Sequence, residues 1–314
     1  MAYEDKYDDE VTIIGGSEWK PGPGYDGSGD NTDGDSGRSQ YTDRKWKTAA
    51  IASASAFILL AALIAGRHLY FKSQFPKSRP DREIIATLAG HSDNDSDTGL
   101  SGTSVTGSSG IEFSETVSMG VTLRKYALDG LEAHFADTVP DLSDSSIYLV
   151  TRSADYRIRN DRKVLIGDFI QDGEILSRSN WRAGFMAIAD GNAQIGISRG
   201  NRVLKYVLKH DGSFFRQLAI VSAGTRCDHQ FILKGKVTRC VYARDERGRL
   251  YFVETVYPET LYGFADALVE DGFIDAVYVT GGAQPDLFYR ETDGTAHGGY
   301  VDDKPHKLVV WTGK

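Results

Sequence analysis

The chain has 314 residues, enough for one large domain or two small ones, and 40% of them are apolar, enough to supply a packed core. Its net charge of -8 argues against nucleic acid as a partner, because a phosphate-binding surface needs a basic excess. With only two cysteines, Cys227 and Cys240, neither a disulfide framework nor a four-ligand zinc site is available, and both are read as small buried hydrophobes without a bridge.

Residues 1–47 hold 11 Asp and Glu against 6 Lys and Arg, with GPGYDGSGDNTDGDSG at their centre. Such a segment cannot bury enough apolar surface to offset its ordering entropy, which predicts a disordered acidic tail open to protein partners. From Thr48 to Gly66, TAAIASASAFILLAALIAG holds no charge. At about 1.5 Å per residue that stretch spans roughly 28 Å as a helix, close to the hydrocarbon thickness of a bilayer. Arg44, Lys45, Trp46 and Lys47 before it, and Arg67, Tyr70, Phe71 and Lys72 after it, read as interfacial anchors. A single transmembrane helix over 48–70 is therefore expected, with basic residues on both flanks that leave its orientation open. Residues 71–110 follow as a juxtamembrane segment and a flexible tether, HSDNDSDTGLSGTSVTGSSG.

Residues 111–314 carry the folded domain. VTLRKYAL, SSIYLVTRS, FMAIADG, AQIGISRG, KVTRCVYARD, LYFVETVY, DAVYVTGG and KLVVWTG are short, rich in branched and aromatic residues, and bounded by Gly, Asp or Asn, the pattern of strands. DERGR at 245–249 reads as a hairpin turn. After Pro258, ETLYGFADALVED puts Leu261, Phe264, Ala265 and Leu268 on one helical face, with Thr260 or Glu259 to cap its start and Gly272 to close it. RVLKYVLKHDG reads as a second helix ending at Gly212. The fold class predicted is α+β: a mixed, mostly antiparallel sheet core with one or two packed helices, preceded by the transmembrane helix.

The seven histidines show no pair at metal-ligand spacing, so no metal site is assigned, and no P-loop, nucleotide fingerprint or nucleophile elbow assigns a cofactor. Two features carry chemistry. Arg239 alternates with Val237 and Val241, and an arginine on an apolar face needs a partner or a ligand. Gly281 and Gly282 end the apolar run from Ala276 to Val279, where glycine lets backbone N–H groups approach a ligand closely.

The order of parts resembles the phosphodiester glycosidase family, named for the uncovering enzyme that removes N-acetylglucosamine from a phosphodiester. In that family an arginine-bearing strand, a hairpin, a second strand, a helix opening near Thr-Leu, a Gly and an apolar strand lead to an Asp-Gly-Gly-Gly-Ser loop. This chain offers KVTRCVYARDERGRLYFVE, ETLYGFADALVEDG and FIDAVYVTGGAQPD in that order, and AIADGNAQIGIS is similar to the family's Ala-Ile-Asn-Gly-Gly-Phe-Phe. The likeness is best over 180–290 and looser over 111–314, as in a divergent bacterial-type member.

The resemblance implies that Arg239, Thr280, Gly281, Gly282 and Asn192 bind a glycan or sugar-phosphate ligand. Thr280 stands where the family has its loop Asp, Ala283 and Gln284 where it has Gly and Ser, Asp190 where it has Asn, and Gly263 where an acid is expected. Because glycosidic cleavage needs a proton donor and a threonine cannot be one at neutral pH, Asp190 and Glu254 remain as catalytic carboxylates. Three readings stay open: a membrane-anchored glycosidase of sugar phosphodiesters, an inactive module that binds the same ligand, and an envelope adaptor. An envelope glycan as substrate would set the domain outside the cytoplasm, in the periplasm or beyond.

Overall fold

A computed structural model describes residues 53–66, 69, 79–90, 110–154, 156–159, 162–179, 181–227, 235–282, 287–299 and 307–313. The chain divides into two units, Met1–Leu63 and Ile64–Lys314. The acidic tail and most of the 91–110 tether lie outside the described residues.

The expected transmembrane helix is not supported. The described part of a helix there covers 53–66. Among the described residues no helix is long and apolar enough to cross a membrane. Residues 48–52, 67, 68 and 70 of the expected span lie outside the described set. The charge-free run over 48–66 and its basic and aromatic flanks are compositional signals, and composition does not by itself establish a regular helix. Placement of the domain outside the cytoplasm, inferred from an envelope-glycan substrate, needed such a span to anchor it and is likewise not supported.

The second unit is built from antiparallel sheets. The main sheet contains β1 (Phe113–Ser118), β2 (Val121–Ala127), β12 (Ala219–Ser222), β13 (Thr225–Arg226), β14 (Thr238–Asp245), β15 (Leu250–Thr255) and β16 (Phe273–Gly282), in the order β1-β2-β15-β14-β16-β12-β13. A second sheet contains β7 (Phe169–Gln171), β8 (Glu174–Ser177), β9 (Gly184–Ala189), β10 (Asn192–Ile197) and β11 (Ser213–Gln217), in the order β10-β9-β11-β7-β8. A third contains β3 (Leu131–Ala136), β4 (Ile147–Arg152), β17 (Leu287–Arg290), β18 (Ala296–Gly299) and β19 (Leu308–Gly313), in the order β18-β17-β4-β19-β3. A two-stranded ribbon, β5 (Tyr156–Arg159) and β6 (Arg162–Leu165), stands apart from them.

The core lies where the inner faces of the three sheets meet: Tyr126, Tyr242 and Phe252 from the first, Phe169, Met186 and Phe215 from the second, Leu149, Val309 and Trp311 from the third. Outer faces are covered by helices. Helix α3 (Leu261–Glu270) packs Leu261, Phe264, Ala265 and Leu268 against Val241, Ala243 and Val253 of the main sheet. Helices α1 (Asp81–Leu88) and α2 (Arg202–Lys209) bury Ile84, Leu88, Val203, Leu204 and Val207 against Phe185 and Phe214 of the second. More than the expected one or two helices therefore pack on the sheets; α1 escaped detection because it sits in a charged stretch and offers only two fully buried side chains.

Local signals explain α3. Thr260 is its N-cap and its hydroxyl accepts from the Gly263 N–H at 3.0 Å, and Gly272 follows its end at a φ of 93°, a conformation that glycine adopts without strain. Both faces of β14 are covered, by α3 and by the central core, which is why KVTRCVYARD reads as nearly continuous apolar sequence.

Candidate functional site

Strand register defines the site. Glu254 on β15 stands directly opposite Cys240 on β14 and Arg124 on β2, and Arg124 stands opposite Glu115 on β1. Residues paired in this way project from the same face of a sheet. Glu115, Arg124, Glu254 and Cys240 therefore form a transverse row on the inner face, with Tyr126 two residues beyond Arg124 on that same face.

Glu254 is 3% exposed. The Tyr126 hydroxyl donates to its Oε1 at 2.9 Å, and Arg124 Nη1 lies 3.9 Å from the same oxygen. Its other oxygen, Oε2, is buried with no hydrogen-bond partner among the described residues. Burial raises the Glu254 carboxyl above the ordinary carboxylate range, and the Tyr126 hydrogen bond and the Arg124 charge pull it back only in part. The same burial, with the Glu254 charge behind it, lifts the Tyr126 phenol. Cys240 is pushed well up by burial and then by Glu254, so its thiol is inert rather than nucleophilic. Both cysteines are buried.

An aromatic group borders the carboxyl. Tyr289 packs edge-on to Tyr126 at 4.8 Å, stacks with Phe113 at 5.6 Å and stacks with His297 at 4.7 Å. Phe113, Tyr289 and His297 are half-buried, and the Arg124 side chain, 42% exposed, reaches from Glu254 out to Glu115, whose Oε2 lies 3.2 Å from Arg124 Nε. Chemically the arrangement is a carboxyl biased towards its protonated form, a phenol beside it, and a solvent-reaching guanidinium at its edge.

Arg239 lies on the other face. It precedes Cys240, is 2% exposed, and its guanidinium donates to the carbonyls of Glu259 and Gly235 and to the Tyr278 hydroxyl, at 3.0 Å and 3.2 Å for the first and third. Gly281 is its register partner and Gly282 that of Thr238, so the arginine strand and the glycine pair do adjoin. A bulge separates the Arg239–Gly281 pair from the Val241–Tyr278 pair, and Thr280 falls within it. The side chain of Thr280, and all of Ala283 and Gln284, lie outside the described residues.

Asp190 is exposed at the tip of the β9–β10 hairpin, with φ of 49° followed by Gly191 at 76°. These are the conformations of a tight hairpin turn, which the Asp-Gly pair suits. Asn192 pairs with Ala189 across that turn, and the Gly191 carbonyl accepts from the Ala133 N–H of β3. No hydrogen bond or ion pair among the described residues joins Asp190 or Asn192 to Glu254 or Arg239. Of the residues singled out from sequence, Arg239 and Gly281 adjoin, Glu254 stands behind them across the sheet, and the Asp190 turn lies beside β3. Arg124 and Tyr126 were missed; their signal was the i, i+2 spacing in VTLRKYAL, which sets both on one face of a strand. Among the described residues no three His, Cys, Asp or Glu gather as a metal site would require.

No family model matches the chain, and no curated protein matches it. Among solved structures it is similar to the zebrafish N-acetylglucosamine-1-phosphodiester alpha-N-acetylglucosaminidase catalytic domain auto-inhibited by pro-peptide, at 10% identity and a TM-score of 0.45, over 65% of this chain and 82% of that one. It is also similar to a hypothetical protein from Synechocystis, at 10% identity and a TM-score of 0.46, over 64% of this chain and 62% of that one.

Proposed function

We propose that residues 111–314 act on a sugar phosphodiester, with Glu254 as the proton donor to the leaving oxygen. The observation that carries this reading is the buried, partly unsatisfied Glu254 carboxyl: a carboxylic acid that keeps its proton above the usual range is what glycosidic cleavage asks of a general acid. Arg124 is the phosphate handle, because its planar fork reaches solvent beside that carboxyl and matches two phosphate oxygens. Glu115, on the far side of Arg124 and in water, is the second carboxylate, available to activate a water molecule. Tyr289 and Phe113 supply the apolar wall for a sugar ring.

A second reading, ligand binding without turnover, is favoured by the threonine at 280 in place of the family's loop acid and by Arg239, whose donors are taken up by the protein itself. In that reading the same residues hold a sugar phosphate.

Turnover of a methyl phosphodiester of N-acetylglucosamine 1-phosphate by the purified full chain tests the proposal. Glu254→Gln is expected to lower kcat by a factor on the order of 100 or more, and Arg124→Met to raise KM for the phosphodiester but not for a neutral aryl glycoside. Equal turnover by wild type and Glu254→Gln removes the acid role, whereas saturable binding without turnover selects the second reading.

A further inference from the structure

The second sheet carries a cleft away from the Glu254 row. It is lined by the β6–β7 connection through Ile166 and Gly167, by Ser177, Arg178 and Ser179 at the end of β8, and by Trp181 and Arg182. Trp181 is 66% exposed, an unusual state for an indole, and the Arg199 guanidinium lies 6.0 Å from its ring centre. The Arg178 side chain is 50% exposed. Among the described residues no carboxylate lines the cleft, in a chain whose net charge is -8. Asp168, which follows the cleft residue Gly167, is buried and engaged: it accepts from Arg216 Nε and from the Ser179 N–H, both at 2.8 Å, with Arg178 at 4.0 Å.

One buried ion pair holds the Ser179 backbone of this cleft and the segment that carries Arg199 to Trp181. Arg216, fully buried, bonds Asp168 with Nε and directs Nη1 and Nη2 to the carbonyls of Ser198 and Gly200. Those two residues bracket Arg199, so the segment presenting Arg199 to Trp181 is clamped at both ends. Through Asp168 the same pair holds Ser179, between Arg178 and Trp181. Rigid presentation of an aromatic plane between guanidinium groups reduces the ordering cost of a ligand that uses them.

We infer that this cleft binds an anionic sugar: a pyranose whose apolar face lies on the Trp181 indole while its phosphate or carboxylate meets Arg178, with the Ser179 hydroxyl beside it for a ring hydroxyl. The indole supplies a flat apolar platform, the arginines supply planar donors matched to an oxyanion, and no acid among the described lining residues would repel one. This site is separate from the Glu254 row and stands whether or not Glu254 turns a substrate over.

Isothermal titration of the full chain with glucose 6-phosphate tests it, with glucose and inorganic phosphate as single-component probes. Saturable binding of glucose 6-phosphate is expected, about tenfold or more tighter than either component alone. Trp181→Ala and Arg178→Ala should each weaken it about tenfold without changing the melting temperature, since both side chains are solvent-exposed, and Glu254→Gln should leave it intact. Higher ionic strength should weaken it further in wild type but little in Arg178→Ala. No saturable binding, binding indifferent to both cleft variants, inorganic phosphate binding as tightly as the sugar phosphate, or loss of binding in Glu254→Gln would each overturn the assignment.

Discussion

Arg239 and Glu254 stand on neighbouring strands one place out of register, and so face opposite sides of the main sheet. A single pocket cannot use both. Arg239 instead ties β14 to the backbone at Gly235 and at Glu259, just before α3, and to Tyr278 on the next strand. Replacing it with methionine keeps the apolar stem and strands two carbonyls and a hydroxyl in a buried site. Arg239→Met should therefore destabilise the fold by about 2–4 kcal/mol while the pH profile of any turnover stays in place. Urea unfolding alongside the phosphodiester assay separates the two effects, and lost turnover at unchanged stability would make Arg239 a ligand residue instead.

Glu254 gives a pH dependence with a definite sign. In the unfolded chain its carboxyl titrates near 4.5, and burial raises that value in the fold. Between the two values the native state holds a proton that the unfolded state releases, so stability falls as pH rises through that window and levels off above the folded value. Other carboxylates titrate there too, and the comparison with Glu254→Gln isolates this one. The stability of wild type minus that of Glu254→Gln should decline from acid pH towards neutrality; a difference that grows with pH would mean that Arg124, not desolvation, controls the carboxyl.

What the sequence made legible was local. Thr260, the apolar face through Leu268 and Gly272 mark α3 from start to stop because caps and periodicity are short-range physics. The runs that became β14, β15 and β16 were equally plain. Opaque were β1, whose FSETVS is a half-polar edge strand, and the register that pairs Glu254 with both Cys240 and Arg124, since cross-strand partners are set by packing between segments far apart in sequence. Arg239 illustrates the same limit: its alternation with valines gave the need for partners, and only the fold reveals that backbone carbonyls meet that need. The charge-free run at 48–66 failed differently: composition speaks to solubility in lipid, and among the described residues no helix is long and apolar enough to cross a membrane.

Tyr242 links two sheets through a hydroxyl that is fully buried. Trp311 Nε1 on β19 donates to it at 3.1 Å, and Thr151 Oγ1 on β4 lies at 2.6 Å. The indole can only donate, so the phenol oxygen accepts from Trp311, and it shares a second hydrogen bond with the Thr151 hydroxyl, in which either oxygen can be the donor. Tyr242→Phe leaves both partners unsatisfied in the core and should lower stability by about 1–3 kcal/mol. Thr151→Val in the Tyr242→Phe background removes one of the two stranded groups, so the pair should cost less than the sum of the single changes. A double-mutant cycle by denaturant unfolding measures this, and strict additivity would mean that the hydroxyl bond contributes nothing.

Gly167 and Gly224 allow steric and conformational costs to be told apart. Both have positive φ, 97° and 70° respectively, but a Cβ on Gly167 would lie 2.0 Å from the Arg216 carbonyl oxygen, whereas one on Gly224 would meet nothing within 4 Å. Gly224→Ala therefore carries only the left-handed backbone penalty, about 1–2 kcal/mol. Gly167→Ala adds a clash with backbone that cannot give way easily, because the Arg216 N–H is bonded to the Asp168 carbonyl at 2.9 Å and its side chain to Asp168, Ser198 and Gly200. It should cost about 2 kcal/mol more than Gly224→Ala, and the excess should come with displacement of the Arg216 clamp, weakening glucose 6-phosphate binding at Trp181 as well. Equal costs for the two alanines in thermal unfolding would show that the second sheet yields at Gly167, and that the clamp is looser than its hydrogen bonds indicate.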